Sequence, residues 1–311
     1  MKKNETCLIV GGAGFLGSHL CEALAEAGHN VRAFDRVAPP MLKGAERIEW
    51  IKGDFFNPED LRAAMKGCGT VFHLVSTTVP GTSNLDPEKD VRQNIEGSLR
   101  LIELALAEQV RKFIFVSSGG TVYGIPGEIP IREDSPTNPI CSYGVCKLAV
   151  EKYLNMYHVT RNLNYRVLRV SNLFGERQSS AMGQGLINIL IRRAIRGEPI
   201  EIWGRGNVVR DYIYVKDVVE ALIKAASYAG EHRVFNIGSG HGRTILDVIE
   251  SLELVLKTPI PRKFLPARPF DVPINVLDIG LAATHLYWHP RTEWLAAMEN
   301  TCQWIRNDEP A

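Results

Sequence analysis

The chain has 311 residues, 45% hydrophobic and 23% charged, the balance of a folded soluble enzyme rather than a disordered or fibrous chain. At roughly 150 residues per domain the length is a soft prior of about two domains, with a core large enough to need no staples. Net charge is +1, from 36 basic and 35 acidic residues with no long run of either sign, which argues against nucleic-acid and membrane-surface partners. Cys7, Cys21, Cys68, Cys141, Cys146 and Cys302 show no C-x-x-C spacing and read as thiols of a reducing compartment, and the histidines show no metal-ligand spacing. From Met1 the chain enters a short apolar stretch broken by Gly11 and Gly12, too short to span a membrane and followed by no small-residue cleavage site. A cytoplasmic protein without a metal is the expectation.

Short β-branched and aromatic runs alternate with helical-period segments along the first half. Strands are predicted at Cys7–Val10, Val31–Asp35, Ile48–Ile51, Val71–Val75, Phe113–Ser117 and Tyr165–Val170, with helical segments such as Leu16–Ala27 and Ile95–Leu106 between them. Near-continuously apolar strands alternating with helices imply a doubly wound parallel sheet covered on both faces. After about Phe174 the pattern loosens into a smaller α+β region, with prolines concentrated at 257–275 and linkers expected around 175–185 and 238–243. Residues 214–238 again read as helix then strand (Val218–Ala226, Val234–Ile237), so the chain is expected to return to the first sheet. The expected division is therefore 1–174 plus about 214–238, and about 175–213 plus 239–311.

The first motif is Gly11-Gly12-Ala13-Gly14-Phe15-Leu16-Gly17, directly after a strand and opening a helix. Glycines there permit a tight turn and let the backbone approach a pyrophosphate at a helix N-terminus, where free N–H groups and the helix dipole favour negative charge. A turn without a ligand is the bland alternative, but the strand–turn–helix context is that of dinucleotide binding. Asp35 closes the second strand, where a carboxylate bonds the ribose 2′-hydroxyl and repels a 2′-phosphate, favouring NAD over NADP. Arg36 beside it softens that choice. Asp54, in Lys52-Gly53-Asp54-Phe55, reads equally as a turn or cap residue before Pro58 and as a partner of the adenine.

The second motif is Tyr143-Gly144-Val145-Cys146-Lys147, early in a helical segment reaching about Thr160. Residues four apart share a helix face, so phenol and ammonium meet one ligand side by side. A nearby cation is expected to lower the phenol from its usual value of about 10, making Tyr143 a usable general acid or base. Two amphipathic surface residues are the bland reading, disfavoured by the fingerprint upstream.

With these motifs the chain resembles the extended short-chain dehydrogenase/reductase family over nearly its whole length. The resemblance also rests on His73-Leu74-Val75, Asn94-x-x-Gly97, Ser117-Ser118-Gly119-Gly120-Thr121-Val122-Tyr123-Gly124, Leu168-Arg169-x-x-Asn172, Arg210-Asp211-Tyr212-Ile213-Tyr214-Val215, Asn236-Ile237-Gly238 and Arg268-Pro269-x-Asp271-Val272. Within the family it is most similar to the UDP-glucose 4-epimerase-like nucleotide-sugar epimerases. That resemblance implies a Rossmann-type domain with a smaller α+β substrate domain, a homodimer, and bound NAD. The dinucleotide is expected on Gly11, Gly14, Phe15, Leu16, Gly17, Asp35, Arg36, Asp54, Phe55, Leu74, Val75, Ser76, Asn94, Ser117, Tyr143 and Lys147. Tyr143 would exchange the proton of the sugar 4-hydroxyl, and Lys147 would hold the nicotinamide ribose. Asn172 would contact the sugar diphosphate of a UDP-sugar, and Arg210 and Arg268 would grip its phosphates, a role suited to the planar guanidinium. A surface ion pair is the plainer reading of the two arginines, more so for Arg268.

The chain also departs from the family. Where relatives carry the Ser or Thr that bonds the 4-hydroxyl, this chain has Gly119; Ser118 or Thr121 serves instead, with Ser118 preferred. The usual small alanines after the fourth strand are Ser76 and Thr77. Dehydratases and decarboxylating members place acids beside the catalytic hydroxyl, and Gly119-Gly120-Thr121 offers none. An epimerase acting through a transient 4-keto sugar is therefore expected, with a reductase of a 4-keto-6-deoxy sugar as the alternative. A redox-sensing protein on the same fold is disfavoured, since such proteins commonly lack the Tyr/Lys pair.

Overall fold

The computed structural model describes residues 5–37, 42, 44–179, 185–267 and 272–308. Strands β1 (Thr6–Val10), β2 (Asn30–Asp35), β3 (Ile48–Lys52), β4 (Thr70–His73), β5 (Lys112–Ser118) and β6 (Tyr165–Val170) lie where the apolar runs predict them. The chain then leaves this sheet for β7 (Asn172–Phe174), β8 (Ile200–Trp203) and β9 (Val209–Tyr214), and returns for β10 (Val234–Ile237). The result is one seven-stranded sheet of order β10-β6-β5-β4-β1-β2-β3, parallel at every pairing. Strand order reverses between β1 and β4, which in an open α/β sheet places the ligand crevice beyond their carboxyl ends.

Alternation along these strands sends successive side chains to opposite faces. Cys7, Ile9, Val31, Ala33, Phe72 and Ile114 enter one core cluster. Leu8, Val10, Phe34, Val71, Phe113 and Phe115 enter the other. Helices α1 (Phe15–Glu26) and α7 (Val215–Ser227) cover the first face. The second is covered by α2 (Pro58–Met65), α4 (Gly97–Ala107) and α5 (Ser142–Arg161). Between them, α3 (Pro87–Asp90) runs through a π-helical stretch, Val91–Glu96, into α4. The helix expected from Ile95 therefore begins in a wider turn, of the kind that recurs at functional sites.

Beyond the large sheet, β9 is flanked by β7 and β13 (Ile274–Asn275) in parallel and by β11 (Gly242–Thr244) in antiparallel pairing. Strand β8 pairs with β12 (Arg262–Leu265). Thus the stretch expected as a linker at 238–243 ends inside a strand, because β11 is needed to cover the edge of β9. Helices α6 (Leu186–Ile195), α8 (Ile245–Leu256), α9 (Gly280–His285) and α10 (Trp294–Asp308) complete this part. Ile187, Val248, Met298 and Ile305 join the α1/α7 cluster, so apolar packing runs continuously from the large sheet into it.

Candidate active site

The glycine loop is built by contacts that exclude side chains. The N–H groups of Gly11 and Gly12 both donate to the Phe34 carbonyl, at 2.9 and 3.2 Å, tying the turn after β1 to β2. A Cβ on Gly17 would stand 2.0 Å from the Gly11 carbonyl oxygen, so only glycine lets α1 start this close to the strand. Gly14, by contrast, meets only the Gly11 carbonyl and lines a groove of about 590 Å³ with Gly11, Asp35, Arg36, Leu74 and Val75. The first-turn N–H groups of α1, from Phe15 on, have no intrahelical acceptors and stand at this groove. The side chain of Leu16 is buried in the core, and Phe15 packs edge-on against His19, so these two contribute backbone rather than side chain.

Asp35 sits at the end of β2 with one carboxylate oxygen accepting from the Ala13 N–H at 3.1 Å and the other from the Arg36 N–H at 2.7 Å. Its place is therefore fixed by the glycine turn itself. Asp54 accepts from the Phe56 N–H at 3.0 Å while its own N–H donates to Asp60, which is the turn reading of that residue. Phe55 and Phe56 rather than Asp54 line the groove. Of the residues expected to hold a dinucleotide, Gly11, Gly14, Asp35, Arg36, Phe55, Leu74, Val75 and Ser76 line this groove, whereas Asn94, Tyr143 and Lys147 line a small neighbouring cavity that shares Val75 and Ser76 with it.

The loop after β4 is held by a polar knot. Asn94, in the π-helical stretch, accepts from the Thr77 N–H at 3.0 Å and donates to Thr77 and Thr78 hydroxyls at 3.0 and 3.2 Å. Its amide also donates to Asp90 at 2.6 Å, and Thr78 donates to the same Asp90 oxygen at 2.7 Å. Of the two hydroxyls expected in place of alanines, Thr77 is part of this knot, while Ser76 donates to the Thr78 carbonyl at 3.1 Å. Asp90 was not legible as a site residue; its signal is a carboxylate one helical turn before Asn94.

Tyr143 and Lys147 share a face of α5, with the ammonium 5.6 Å from the phenol ring centre. Close approach of this helix to the end of β5 depends on Gly144, whose Cβ would stand 2.9 Å from the Thr121 carbonyl oxygen. Lys147 is buried, donates to the Val116 carbonyl at 2.9 Å and lies over the Phe115 ring. Burial lowers it to about 8 against the opposing charges of Asp90 and Glu151. Tyr143 departs from expectation: its phenol is held above the ordinary value, by burial first and by Cys141 and Asp90 next, while Ser76 pulls the other way. The cation was expected to lower it, but Lys147 is turned to the Val116 carbonyl and desolvation dominates.

At the end of β5 the residues separate by role. A Cβ on Gly119 would meet Leu277 Cδ1 at 2.5 Å and the Arg169 carbonyl oxygen at 3.1 Å, so a larger residue there requires the buried leucine side chain to move. Beside it, the Ser118 hydroxyl and the Asn172 amide oxygen flank the Gly120 α-carbon, whose Cβ would lie 3.9 and 3.3 Å from them. The Thr121 hydroxyl is buried and has no hydrogen-bond partner. Arg210, at the centre of the second sheet, donates to the Val209 and Val272 carbonyls. Arg268 lies outside the described residues.

Several motif residues turn out to hold the fold. The Ser117 hydroxyl, expected at the cofactor, donates to Glu151 of α5 at 2.5 Å. Glu151 is paired with Arg169 at 2.6 Å, and Arg169 also donates to the Tyr123 hydroxyl, which donates to Asn236. Asp211 is buried and accepts from Ser171, Ser239, Gly240 and Leu277. His73 packs among Phe55, Phe113 and Phe115, bonds Ser98, and is pushed down to about 3 by burial, so it stays neutral. Among the described residues no three histidine, cysteine or acidic side chains could hold a metal ion, and no helix is long and apolar enough to cross a membrane.

A parallel Rossmann-type sheet, a glycine turn facing a carboxylate, and a Tyr/Lys pair across the crevice define a dinucleotide-dependent enzyme of the short-chain type. Residues 7–238 match the NAD dependent epimerase/dehydratase family, and the chain belongs to that family. It is 32% identical over 308 residues to the UDP-glucose 4-epimerase of Mycolicibacterium smegmatis, covering 96% of this chain and 98% of that one. It is also 32% identical over 291 residues to the dTDP-4-dehydro-6-deoxyglucose reductase of Escherichia coli, covering 91% and 92%. The crystal structure of UDP-glucose 4-epimerase with UDP-glucose from Thermotoga maritima superposes with a TM-score of 0.92 at 32% identity, covering 97% of this chain and 99% of that chain.

Proposed function

We propose that the protein is an NAD-dependent 4-epimerase of a nucleotide-diphosphate sugar, of the UDP-glucose/UDP-galactose type. The observation that carries this reading is the Tyr143/Lys147 pair in a cavity that adjoins the glycine-turn groove through Val75 and Ser76, with Gly119, Gly120 and Thr121 at the end of β5 offering no carboxylate for a dehydration or decarboxylation. NAD⁺ in the groove supplies the hydride acceptor for C4 and later the donor. Tyr143 takes the 4-hydroxyl proton as the sugar is oxidised and returns it after the 4-keto sugar has presented its other face. Lys147 holds the nicotinamide ribose and adds positive charge beside the phenol. Asn172, Arg210 and Arg268 bind the diphosphate, and Ser118, with Thr121 as the alternative, bonds the sugar hydroxyl that Gly119 leaves unserved.

The likeness to a 4-keto-sugar reductase favours one second reading, in which NAD(P)H exchanges with solution and reduces a 4-keto-6-deoxy sugar. Denaturing the purified protein and measuring the nucleotide released separates the two. One NAD per chain supports the epimerase; an empty protein supports the reductase.

A cytoplasmic homodimer belongs to the same reading. Leu101 and Leu104 of α4 and Leu154 of α5 are buried within the protomer. The exposed apolar stripe is Val145, Tyr153, Met156 and Val159 on α5, and that stripe supports pairing of two copies through this helix.

A further inference from the structure

Asp90 is the one fully buried carboxylate at the crevice that the proposed chemistry does not use. It ends α3, has no exposed surface, and lines a small internal cavity together with Ser76, Asn94, Tyr143, Cys146 and Lys147. One oxygen accepts from Thr78 and Asn94; the other is buried with no hydrogen-bond partner, and the residue forms no ion pair among the described residues. A buried carboxylate costs several kcal/mol in solvation unless its charge is used or paired. The family's proton exchange needs only the phenol and the ammonium, so the charge calls for another explanation.

We propose, building on the epimerase reading, that Asp90 is a positioning residue. It fastens Asn94 and Thr78 so that the loop after β4 holds its shape at the groove, and it sets a carboxylate in the cavity that Tyr143 and Lys147 line. Among the described residues Asp90 is the largest source of negative charge acting on Lys147, with Glu151 and Cys146 behind it. Lys147 is faced by Tyr143, Cys146 and Glu151 from its own helix, by neutral His73 from β4, and by the Phe115 ring and Val116 carbonyl from β5. Glu151 is already committed to Arg169 and Ser117. Of the charges that hold the proton on Lys147, Asp90 contributes most, and it also raises Tyr143. Lys147 lies near 8 with Asp90 in place, so removing that charge would leave it only partly protonated at neutral pH and weaken the grip expected on the ribose.

The signs follow directly. Replacing the carboxylate by an amide of the same shape removes a negative charge that raises both groups, so both lose protons at lower pH. The test is Asp90→Asn in the full-length protein, read by ¹³C NMR of labelled lysine, with the Lys147 resonance assigned by its loss in Lys147→Met. The midpoint, near 8 in the parent protein, is expected to fall by about one pH unit, the scale of one nearby charge inside a protein. In turnover of UDP-glucose the acid limb of the pH profile is expected to move to lower pH by a similar amount. An unmoved Lys147 midpoint overturns the proposal, since a purely structural Asp90 would leave it in place. Should Asp90→Asn fail to fold, Asp90→Ser, smaller and also neutral, must show the same shift, and an unmoved midpoint there overturns it equally. The titration needs neither substrate nor cofactor, so a parent protein inactive on UDP-sugars would defeat the epimerase reading while this measurement still decides on Asp90.

Discussion

Gly119 and Leu277 are in such close contact that a Cβ on the glycine would stand 2.5 Å from the leucine Cδ1. The position where relatives carry a hydroxyl is filled here by a leucine from another part of the chain. Gly119→Ser should therefore fail to restore that hydroxyl. Overpacking should lower stability by about 1–3 kcal/mol, seen as a lower melting temperature with no gain in kcat.

The missing hydroxyl has two candidate replacements, and the structure gives them different signatures. Thr121 carries a buried, partnerless hydroxyl, which costs stability in the free protein and, on the proposed reading, pairs with the bound sugar. Thr121→Val should thus keep or raise the melting temperature while lowering kcat. Ser118→Ala should lower kcat by an amount matching about 1.5–3 kcal/mol for a hydrogen bond to charge. A Thr121→Val enzyme of full activity would return the whole role to Ser118.

Tyr143→Phe removes the group placed to exchange the 4-hydroxyl proton. Turnover should drop by at least about 10²-fold. Retained NAD, measured after denaturation, should match the parent protein, because the glycine turn and Lys147 are untouched. Near-full activity on every nucleotide sugar tried would rule out the assigned role.

Asp35 is held by the Ala13 and Arg36 N–H groups at the groove, leaving a 2′-phosphate to meet a carboxylate. NAD should bind more than about tenfold tighter than NADP, and Asp35→Asn should narrow that ratio, since it removes repulsion rather than attraction. Equal affinities in the parent protein would make Arg36 the dominant neighbour.

Arg169 and Glu151 form a buried ion pair knotted to Ser117, Tyr123 and the Glu133 carbonyl. Removing one partner leaves an uncompensated buried charge, so Arg169→Met should cost about 3–5 kcal/mol. The double variant with Glu151→Leu should recover much of that loss in denaturant unfolding. Equal losses in single and double variants would show that the pair is not coupled.

The large sheet was legible because its strands are apolar on both faces and are separated by helices of regular period. The glycine turn, Asp35 and the Tyr143/Lys147 pair were legible because each needs a fixed residue type at a fixed spacing. The second sheet was not: β7, β11 and β13 are two or three residues long, and they exist only because β9 offers edges to pair with. The bond from Ser117 to Glu151 was not legible, because a motif read along the chain does not say what α5 brings against β5. Asp90 escaped notice because its importance lies in what α5 brings against it, a contact between segments far apart in sequence. The phenol of Tyr143 was expected to be lowered because sequence shows the neighbouring cation but not the desolvation that outweighs it.

The central claim is tested most directly by incubating the purified protein with UDP-glucose, without added cofactor, and following the anomeric protons by ¹H NMR. The account predicts that UDP-galactose appears and reaches a constant ratio with UDP-glucose, approached equally from either sugar. No interconversion of any UDP-hexose, alongside stoichiometric oxidation of added NADPH by a nucleotide 4-keto sugar, would contradict it.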